Sequence, residues 1–99
     1  MDREKDIEHY FKTAVEKQGA IVWKFVSPGQ AGVPDRLVLL PGGRVVFAEI
    51  KAPGKKPRPL QRAVFHRMAR LGHDVFVIDS RPAVDRFAKE VMPDEVHTP

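Results

Sequence analysis

The sequence predicts an α/β fold of three layers, in which helices cover both faces of a small mixed sheet, with the element order α-β-β-β-α-β-α. Three stretches have helical periodicity, short β-branched and aromatic runs lie between them, and two of these runs are apolar at consecutive positions. Such continuously apolar strands need cover on both faces of their sheet. The 99 residues are one domain in length, and we expect residues 1–92 to form it and residues 93–99 to be a flexible tail.

Each of the three predicted helices has an apolar stripe at helical spacing. The first lies within residues 2–18, with Asp2 as a candidate N-cap, and its stripe consists of Ile7, Tyr10, Phe11, Ala14 and Val15. The stripe of the second consists of Leu60, Val64, Met68 and Leu71. The third follows Ser80, a good N-cap, with Pro82 in its first turn. Its stripe consists of Val84, Phe87, Ala88 and Val91.

Four runs rich in β-branched and aromatic residues predict strands. These runs are residues 20–26, 35–40, 45–50 and 74–78. The segment 27–34, which contains glycines and prolines, predicts a loop. Pro41-Gly42-Gly43-Arg44 joins the second and third runs, which predicts a β-hairpin.

The composition restricts the classes of function that the chain can have. Its net charge of +4 and pI of about 9.7 favour a polyanionic partner. Because there is no cysteine, disulfide-linked partners, zinc-thiolate sites and cysteine nucleophiles are excluded. No apolar run is long enough to span a membrane, and the first six residues are too charged for a secretory signal. We therefore expect a soluble, cytoplasmic protein without a membrane partner.

Two acidic residues stand in segments that otherwise predict buried strands. Asp35 precedes one apolar run, and Glu49 lies near the end of the next, followed at the second position by Lys51. Charge in such places is costly unless it is paired or bound to a metal. The three side chains are therefore candidates for a functional site.

The register of the hairpin decides whether Asp35 and Glu49 can cooperate. If paired residue numbers sum to 85, Asp35 faces Ile50 and its side chain points away from that of Glu49. If they sum to 84, the loop is the three residues 41–43 and Asp35 lies beside Glu49. We predict the second register, or a bulge with the same effect, and strand alternation then places Lys51 on the same face.

Two neighbouring carboxylates repel each other, and a divalent cation removes the repulsion. Oxygen ligands completed by water suit Mg²⁺, with Mn²⁺ able to substitute. The metal can polarise a phosphoryl oxygen and lower the pKa of a bound water. Lys51 beside it could orient that water or neutralise developing charge. This combination is typical of phosphodiester hydrolysis.

Further residues make this pattern resemble known nuclease signatures. Pro34-Asp35 followed by Glu49-Ile50-Lys51 matches the signature of the PD-(D/E)xK nucleases in order and spacing. Gly32-Val33-Pro34-Asp35, the Glu-x-Lys and then Leu60-Gln61 resemble the VRR-NUC (virus-type replication repair nuclease) family, over nearly the whole chain. The resemblance implies a restriction-endonuclease-like αβα sandwich that cleaves DNA with the help of a metal.

The resemblance also implies a role for each residue of the site. Asp35, Glu49 and the backbone carbonyl of Ile50 would hold the metal. Lys51 would assist the attacking water, and Gln61 would support the site.

An acidic residue of the first helix completes the site in the family. Glu8 fits this role best because it lies at the edge of the apolar stripe, and Glu4, one turn earlier, is its rival.

The loop after the Glu-x-Lys is rich in basic residues. Its position next to the candidate site favours contact with DNA phosphates. The residues expected to make these contacts are Lys55, Lys56, Arg58 and Arg62.

Small stand-alone members of this family resemble Holliday junction resolvases and act as homodimers. Our leading hypothesis is therefore a magnesium-dependent endonuclease that cuts branched DNA as a homodimer, in phage or bacterial DNA repair or recombination. The alternatives are a general or flap-type nuclease and a non-catalytic nucleic-acid-binding scaffold. The Asp35, Glu49 and Lys51 set argues against the scaffold.

Overall fold

A computed structural model describes residues 1–92, and the tail predicted for residues 93–99 lies outside the described range. The predicted element order is confirmed. The elements are α1 (Glu4–Glu16), β1 (Ile21–Lys24), β2 (Arg36–Leu39), β3 (Val45–Ile50), α2 (Pro59–Arg70), β4 (Val75–Ile78) and α3 (Arg81–Val91). No helix within the described range is long and apolar enough to cross a membrane.

The ends of the helices follow capping chemistry, with one correction. Ser80 caps α3 as predicted, since its Oγ accepts a hydrogen bond from the backbone N–H of Ala83 at 3.1 Å. The prediction of Asp2 as the N-cap of α1 was wrong, because that position is occupied by Arg3. The carboxylate of Asp2 instead accepts hydrogen bonds from Arg81 at 3.0 and 3.2 Å. Asp2 therefore takes part in a long-range ion pair and does not cap α1.

The four strands form one mixed sheet in the order β1-β2-β3-β4. The first three strands are antiparallel, and β4 lies parallel to β3 with α2 as the crossover. Arg36 pairs with Ala48 and Leu39 with Val45, so paired numbers sum to 84. The predicted hairpin register is therefore confirmed.

One face of the sheet carries the hydrophobic core beneath α1 and α3. The two helices meet through Phe11 and Phe87, whose ring centroids are 5.1 Å apart. The strand residues of this face alternate with those of the other face, and the buried ones are Val22, Val38, Val46, Ala48, Ile50 and Ile78. The apolar side of α3 is thus buried within the domain.

The predicted three layers are confirmed, with α2 on the second face of the sheet, although this helix covers that face only in part. Here α2 packs against β4 at one side of the sheet. Apolar side chains elsewhere on this face remain exposed, by 45% for Ile21, 56% for Trp23 and 45% for Val45. One helix is too narrow to cover four strands, so an apolar surface remains.

The buried stripe of α2 also differs from the predicted one. Leu60 and Leu71 are 53% and 77% exposed, while Gln61, Val64 and Phe65 are buried. The helix is rotated so that Gln61 faces the sheet, where it meets Glu49. The orientation of α2 therefore includes a hydrogen bond between Gln61 and Glu49, and apolar periodicity alone predicted this orientation incorrectly.

Candidate active site

Asp35 and Glu49 lie side by side at the end of the β2–β3 hairpin. The backbone N–H of Asp35 donates to Glu49 Oε1 at 3.1 Å, and the backbone N–H of Ile50 donates to Asp35 Oδ1 at 3.1 Å. Glu49 is only 4% exposed. The register thus brings a buried carboxylate and a half-buried one together, as the sequence predicts.

The surroundings of Asp35 disfavour its negative charge. Burial, together with the nearby charges of Glu49 and Glu4, raises the pKa of Asp35 to about 6. The hydrogen bond from the Ile50 N–H and the charge of Arg36 act in the opposite direction, and they are outweighed. An additional cation would relieve this unfavourable charge.

Lys51 and Gln61 both contact the same carboxylate oxygen of Glu49, Oε2. Lys51 Nζ lies 3.3 Å from Glu49 Oε2, and Gln61 Nε2 donates to that oxygen at 3.0 Å. Gln61 Oε1 accepts from the backbone N–H of Arg58 at 2.8 Å, at the start of α2. Because a backbone N–H can only donate, this bond leaves the amide NH₂ of Gln61 facing the carboxylate. Helix capping and site geometry are therefore coupled.

Arg36 is a site residue that sequence reasoning missed. It is 8% exposed, and its guanidinium donates to the backbone carbonyl of Asp35 at 2.9 Å and to Glu8 Oε2. It also lies 3.3 Å from Asp35 Oδ2. A charged residue directly after Asp35 in an apolar strand was the available signal. Its role depends on the position of α1, which the local pattern does not give.

The two acids of α1 occupy different positions relative to Asp35. Glu8 reaches the site through Arg36, with which it forms an ion pair. Glu4 is exposed, and its charge contributes to the raised pKa of Asp35. Both predicted candidates therefore lie near the site, Glu8 behind an arginine and Glu4 without one.

The predicted basic residues surround the start of α2, next to Gln61. Lys55 and Lys56 are exposed in the loop between β3 and α2, and Arg58 is the N-cap of the helix. Arg62 is exposed in the first turn, and its Nη1 donates to the carbonyl of Pro57 at 2.8 Å. These cations are therefore presented to solvent beside the carboxylate pair.

The donors present suit a hard cation that keeps most of its water. Within residues 1–92, no group of three or more histidine and carboxylate side chains is arranged to hold a metal. Asp35 and Glu49 supply two carboxylates, and Mg²⁺ commonly takes only one or two from a protein. Burial and the neighbouring carboxylates raise the pKa of Asp35, so its ionised form is poorly stabilised and a bound cation would stabilise it. The arrangement can therefore bind a hydrated divalent ion beside an ammonium group.

Comparison with known proteins places the chain among nucleases and related domains. No protein-family model matches the sequence. The chain is 53% identical over 79 residues to a protein named "Putative nuclease p44" from Acyrthosiphon pisum secondary endosymbiont phage 1. The matched region is 80% of this chain and 85% of that protein. A solved structure titled "VRR_NUC domain" superposes with a TM-score of 0.84 and 34% identity, over 92% of this chain and 99% of that one. At this identity and coverage, sequence and structure lead to one conclusion: the chain belongs to the VRR-NUC domain family.

Proposed function

We propose that this protein is a metal-dependent endonuclease that hydrolyses phosphodiester bonds in DNA. The observation that carries the proposal is the pairing of Asp35 with Glu49, in which the Asp35 N–H donates to Glu49 Oε1 and the Ile50 N–H donates to Asp35 Oδ1, with Lys51 beside Glu49. The naming of the phage relative as a nuclease supports the same activity. Action in the cytoplasm of a bacterial host would follow if this chain works as a phage protein does.

The site would bind Mg²⁺ through Asp35 and Glu49, with the carbonyl of Ile50 as a further ligand, and Mn²⁺ would substitute. When bound, the ion would supply Lewis-acid chemistry at the scissile phosphate and a more acidic water. Because Asp35 is partly protonated near its pKa of about 6, binding of the ion would displace that proton. Metal affinity should therefore increase as the pH rises through this value.

The remaining residues would hold the reacting groups in place. Lys51 lies 3.3 Å from Glu49, where its ammonium can donate to an attacking water or to a phosphate oxygen. Gln61 fixes the second oxygen of Glu49 by its 3.0 Å hydrogen bond. Exposed cations at the start of α2 would contact flanking phosphates, and these are Lys55, Lys56, Arg58 and Arg62.

The acid contributed by α1 is proposed to be Glu4 rather than Glu8. The carboxylate of Glu8 is already held by Arg36, and Glu4 has a direct electrostatic effect on Asp35. Replacing Glu4 by Gln should weaken metal binding more than replacing Glu8 by Gln. Isothermal titration with Mg²⁺ compares the two, and a larger loss in the Glu8 variant would reverse the assignment.

The proposed substrate is branched DNA, cut by a homodimer that places two sites on one junction. The partly covered apolar face of the sheet supports a second copy as its cover, since Ile21 and Trp23 on β1 and Val45 on β3 expose apolar side chains there. Trp23 lies on this face and is 56% exposed. The apolar side of α3, in contrast, is buried in the core.

Cleavage assays test the activity and its specificity. The purified protein is incubated with a four-way junction, a flap, a linear duplex and single-stranded DNA, each with Mg²⁺, Mn²⁺ or EDTA. Nicking of the junction that needs metal and is lost in Asp35→Ala supports the proposal, with Glu16→Ala as an exposed carboxylate control. Equal cutting of the linear duplex would favour a general nuclease, and preferred cutting of the flap a flap-type nuclease. Binding without metal-dependent cutting would favour the non-catalytic scaffold.

Sedimentation tests the dimer separately. The wild type should sediment with a dimer mass, and Val45→Glu, which places a charge on the open sheet face, should give a monomer. Leu71→Glu is the matched control because Leu71, the C-cap of α2, is 77% exposed and does not belong to the sheet. A wild-type monomer would overturn the dimer while leaving the nuclease proposal standing.

A further inference from the structure

A second cationic surface lies beside the candidate active site, on the α1 side of the sheet. It is a cavity of about 260 Å³ between α1 and the edge strand β1. We call it the α1–β1 groove, and it is lined by Glu8, Lys12, Val22, Trp23, Lys24 and Arg36. The predicted basic loop leads into α2, which covers the other sheet face. The two basic surfaces therefore lie on opposite sides of the sheet.

Secondary structure gathers the charged members of this groove. Lys12 follows Glu8 by four residues on α1, so both side chains lie on one side of the helix. Lys24 is the direct partner of Arg36 in the β1–β2 ladder, so these two side chains lie on one face of the sheet. That face is the one covered by α1, as the burial of Val22 in β1 shows. The position of Lys12 on α1 and the ladder pair of Lys24 with Arg36 thus bring three cations together in the groove.

The positive charge of the groove is only partly neutralised. Arg36 pairs with Glu8 and with Asp35, whereas neither Lys12 nor Lys24 forms an ion pair with another residue in the range 1–92. Like charges directly opposite each other in a ladder are destabilising. An anion in the groove would offset this cost. Both lysines are exposed and can reach such an anion without rearrangement of the core.

We propose that the α1–β1 groove binds a backbone phosphate of the DNA strand that passes through the active site. This inference rests on the proposed nuclease function and adds a subsite to it. Arg36 forms the floor of the groove and also contacts Asp35, so a phosphate held there lies one side chain away from the reacting centre. The substrate strand would then run from the basic loop, across the carboxylate pair, to Lys12 and Lys24. The protein would then contact DNA phosphates on both sides of the cleaved bond.

Equilibrium binding to fluorescently labelled DNA in EDTA, where no cutting occurs, tests the groove. The double variant Lys12→Gln/Lys24→Gln should bind about ten-fold more weakly than wild type, at a salt concentration of about 100 mM. Its plot of log affinity against log salt should have a slope smaller by about 0.7 to 0.9 for each phosphate that the variant no longer neutralises. Circular dichroism checks that the variant is folded, which is expected because both lysines are exposed.

The control removes two lysine charges that do not line the groove, one in the first turn of α1 and one at its C-cap. Lys5 and Lys17 line a separate cavity with His9 and Arg81, away from the groove. Lys5→Gln/Lys17→Gln should leave the salt slope close to that of wild type. Equal losses in the two double variants would overturn the groove, because only net charge would then matter. If the wild type bound and cut no DNA, the proposed function itself would fail, which is a distinguishable result.

Discussion

Replacing Asp35 by Asn should make the metal-free protein more stable at neutral pH, although it removes a central residue of the candidate site. The ordinary pKa of 3.8 is raised to about 6 by burial and by nearby negative charge. A carboxyl group with a raised pKa prefers its neutral form in the fold, and Asn resembles that form. The ionised wild-type side chain therefore lowers the free energy of unfolding at pH 8.

The magnitude follows from the same pKa values. The difference of about 2.2 between 6 and 3.8, at about 1.36 kcal/mol per pH unit, gives an upper bound of about 3 kcal/mol. The Asp35 side chain is 33% exposed, so solvent screening reduces this to about 1–2 kcal/mol. For a domain of this size, that corresponds to a Tm higher by about 5–10 °C.

The pH dependence identifies the cause. Below about pH 4, Asp35 is protonated in both the folded and the unfolded state, so the variant and the wild type should be equally stable. Between pH 4 and 6 the unfolded state loses its proton first, so the wild type loses stability as the pH rises. Above about pH 6 the full difference should be present.

Urea denaturation in EDTA at pH 4, 6 and 8 measures this difference, with Glu16→Gln as an exposed carboxylate control. Added Mg²⁺ should stabilise the wild type and leave the stability of Asp35→Asn unchanged. The difference in stability between the two proteins should then shrink or change sign. A variant that is less stable than wild type at pH 8, or a difference that does not change with pH, would refute the reasoning.

Three further substitutions have expected outcomes. Arg36→Met leaves Glu8 beside a neutral side chain and should cost about 2 kcal/mol, less than for a fully buried pair because Glu8 is 34% exposed. Gln61→Ala removes the cap of α2 and the hydrogen bond to Glu49, and should cost about 1–2 kcal/mol and reduce any nuclease activity. Gly32→Ala should cost about 2 kcal/mol, because φ is +86° and the added Cβ would lie 3.0 Å from a side chain of α2. Urea denaturation measures all three.

Each substitution has a matched control on a neighbouring position or with a related side chain. Arg36→Lys keeps the charge and should recover part of the lost stability, so equal losses would show that only shape matters. Arg62→Ala, at an exposed position next to Gln61, should be nearly neutral. Gly29→Ala meets nothing within 4 Å and should be neutral or slightly stabilising. If Gly29→Ala and Gly32→Ala had the same effect, the close approach of Gly32 to α2 would not be the cause.

The sequence predicted those parts of the site that depend on local rules. Strand alternation and a three-residue turn place Asp35 beside Glu49 and Lys51 on the same side as both. Gln61 came from its place after the Glu-x-Lys at a helix start, and the structure brings it to Glu49. These relations need no knowledge of distant packing.

Features set by long-range packing were not accessible in the same way. Arg36 becomes part of the site because α1 delivers Glu8 to it, and the two are far apart in sequence. Leu60 and Leu71 follow helical periodicity, yet the contact of Gln61 with Glu49 turns both toward solvent. In each case a polar partner on another element outweighs the apolar pattern of the element itself.

Pro41 influences the geometry of the candidate site from the far end of the hairpin. The alternative register would close a two-residue Gly42-Gly43 turn with a Pro41–Arg44 pair, in which proline has no N–H to donate. Instead the Leu40 N–H donates to the Arg44 carbonyl at 2.8 Å, around a three-residue turn. That turn lies about 17 Å from the carboxylates at the usual rise per residue. A change of register at this turn would therefore separate Asp35 from Glu49 at the opposite end of the strands, so engineering of the turn has to preserve its three residues.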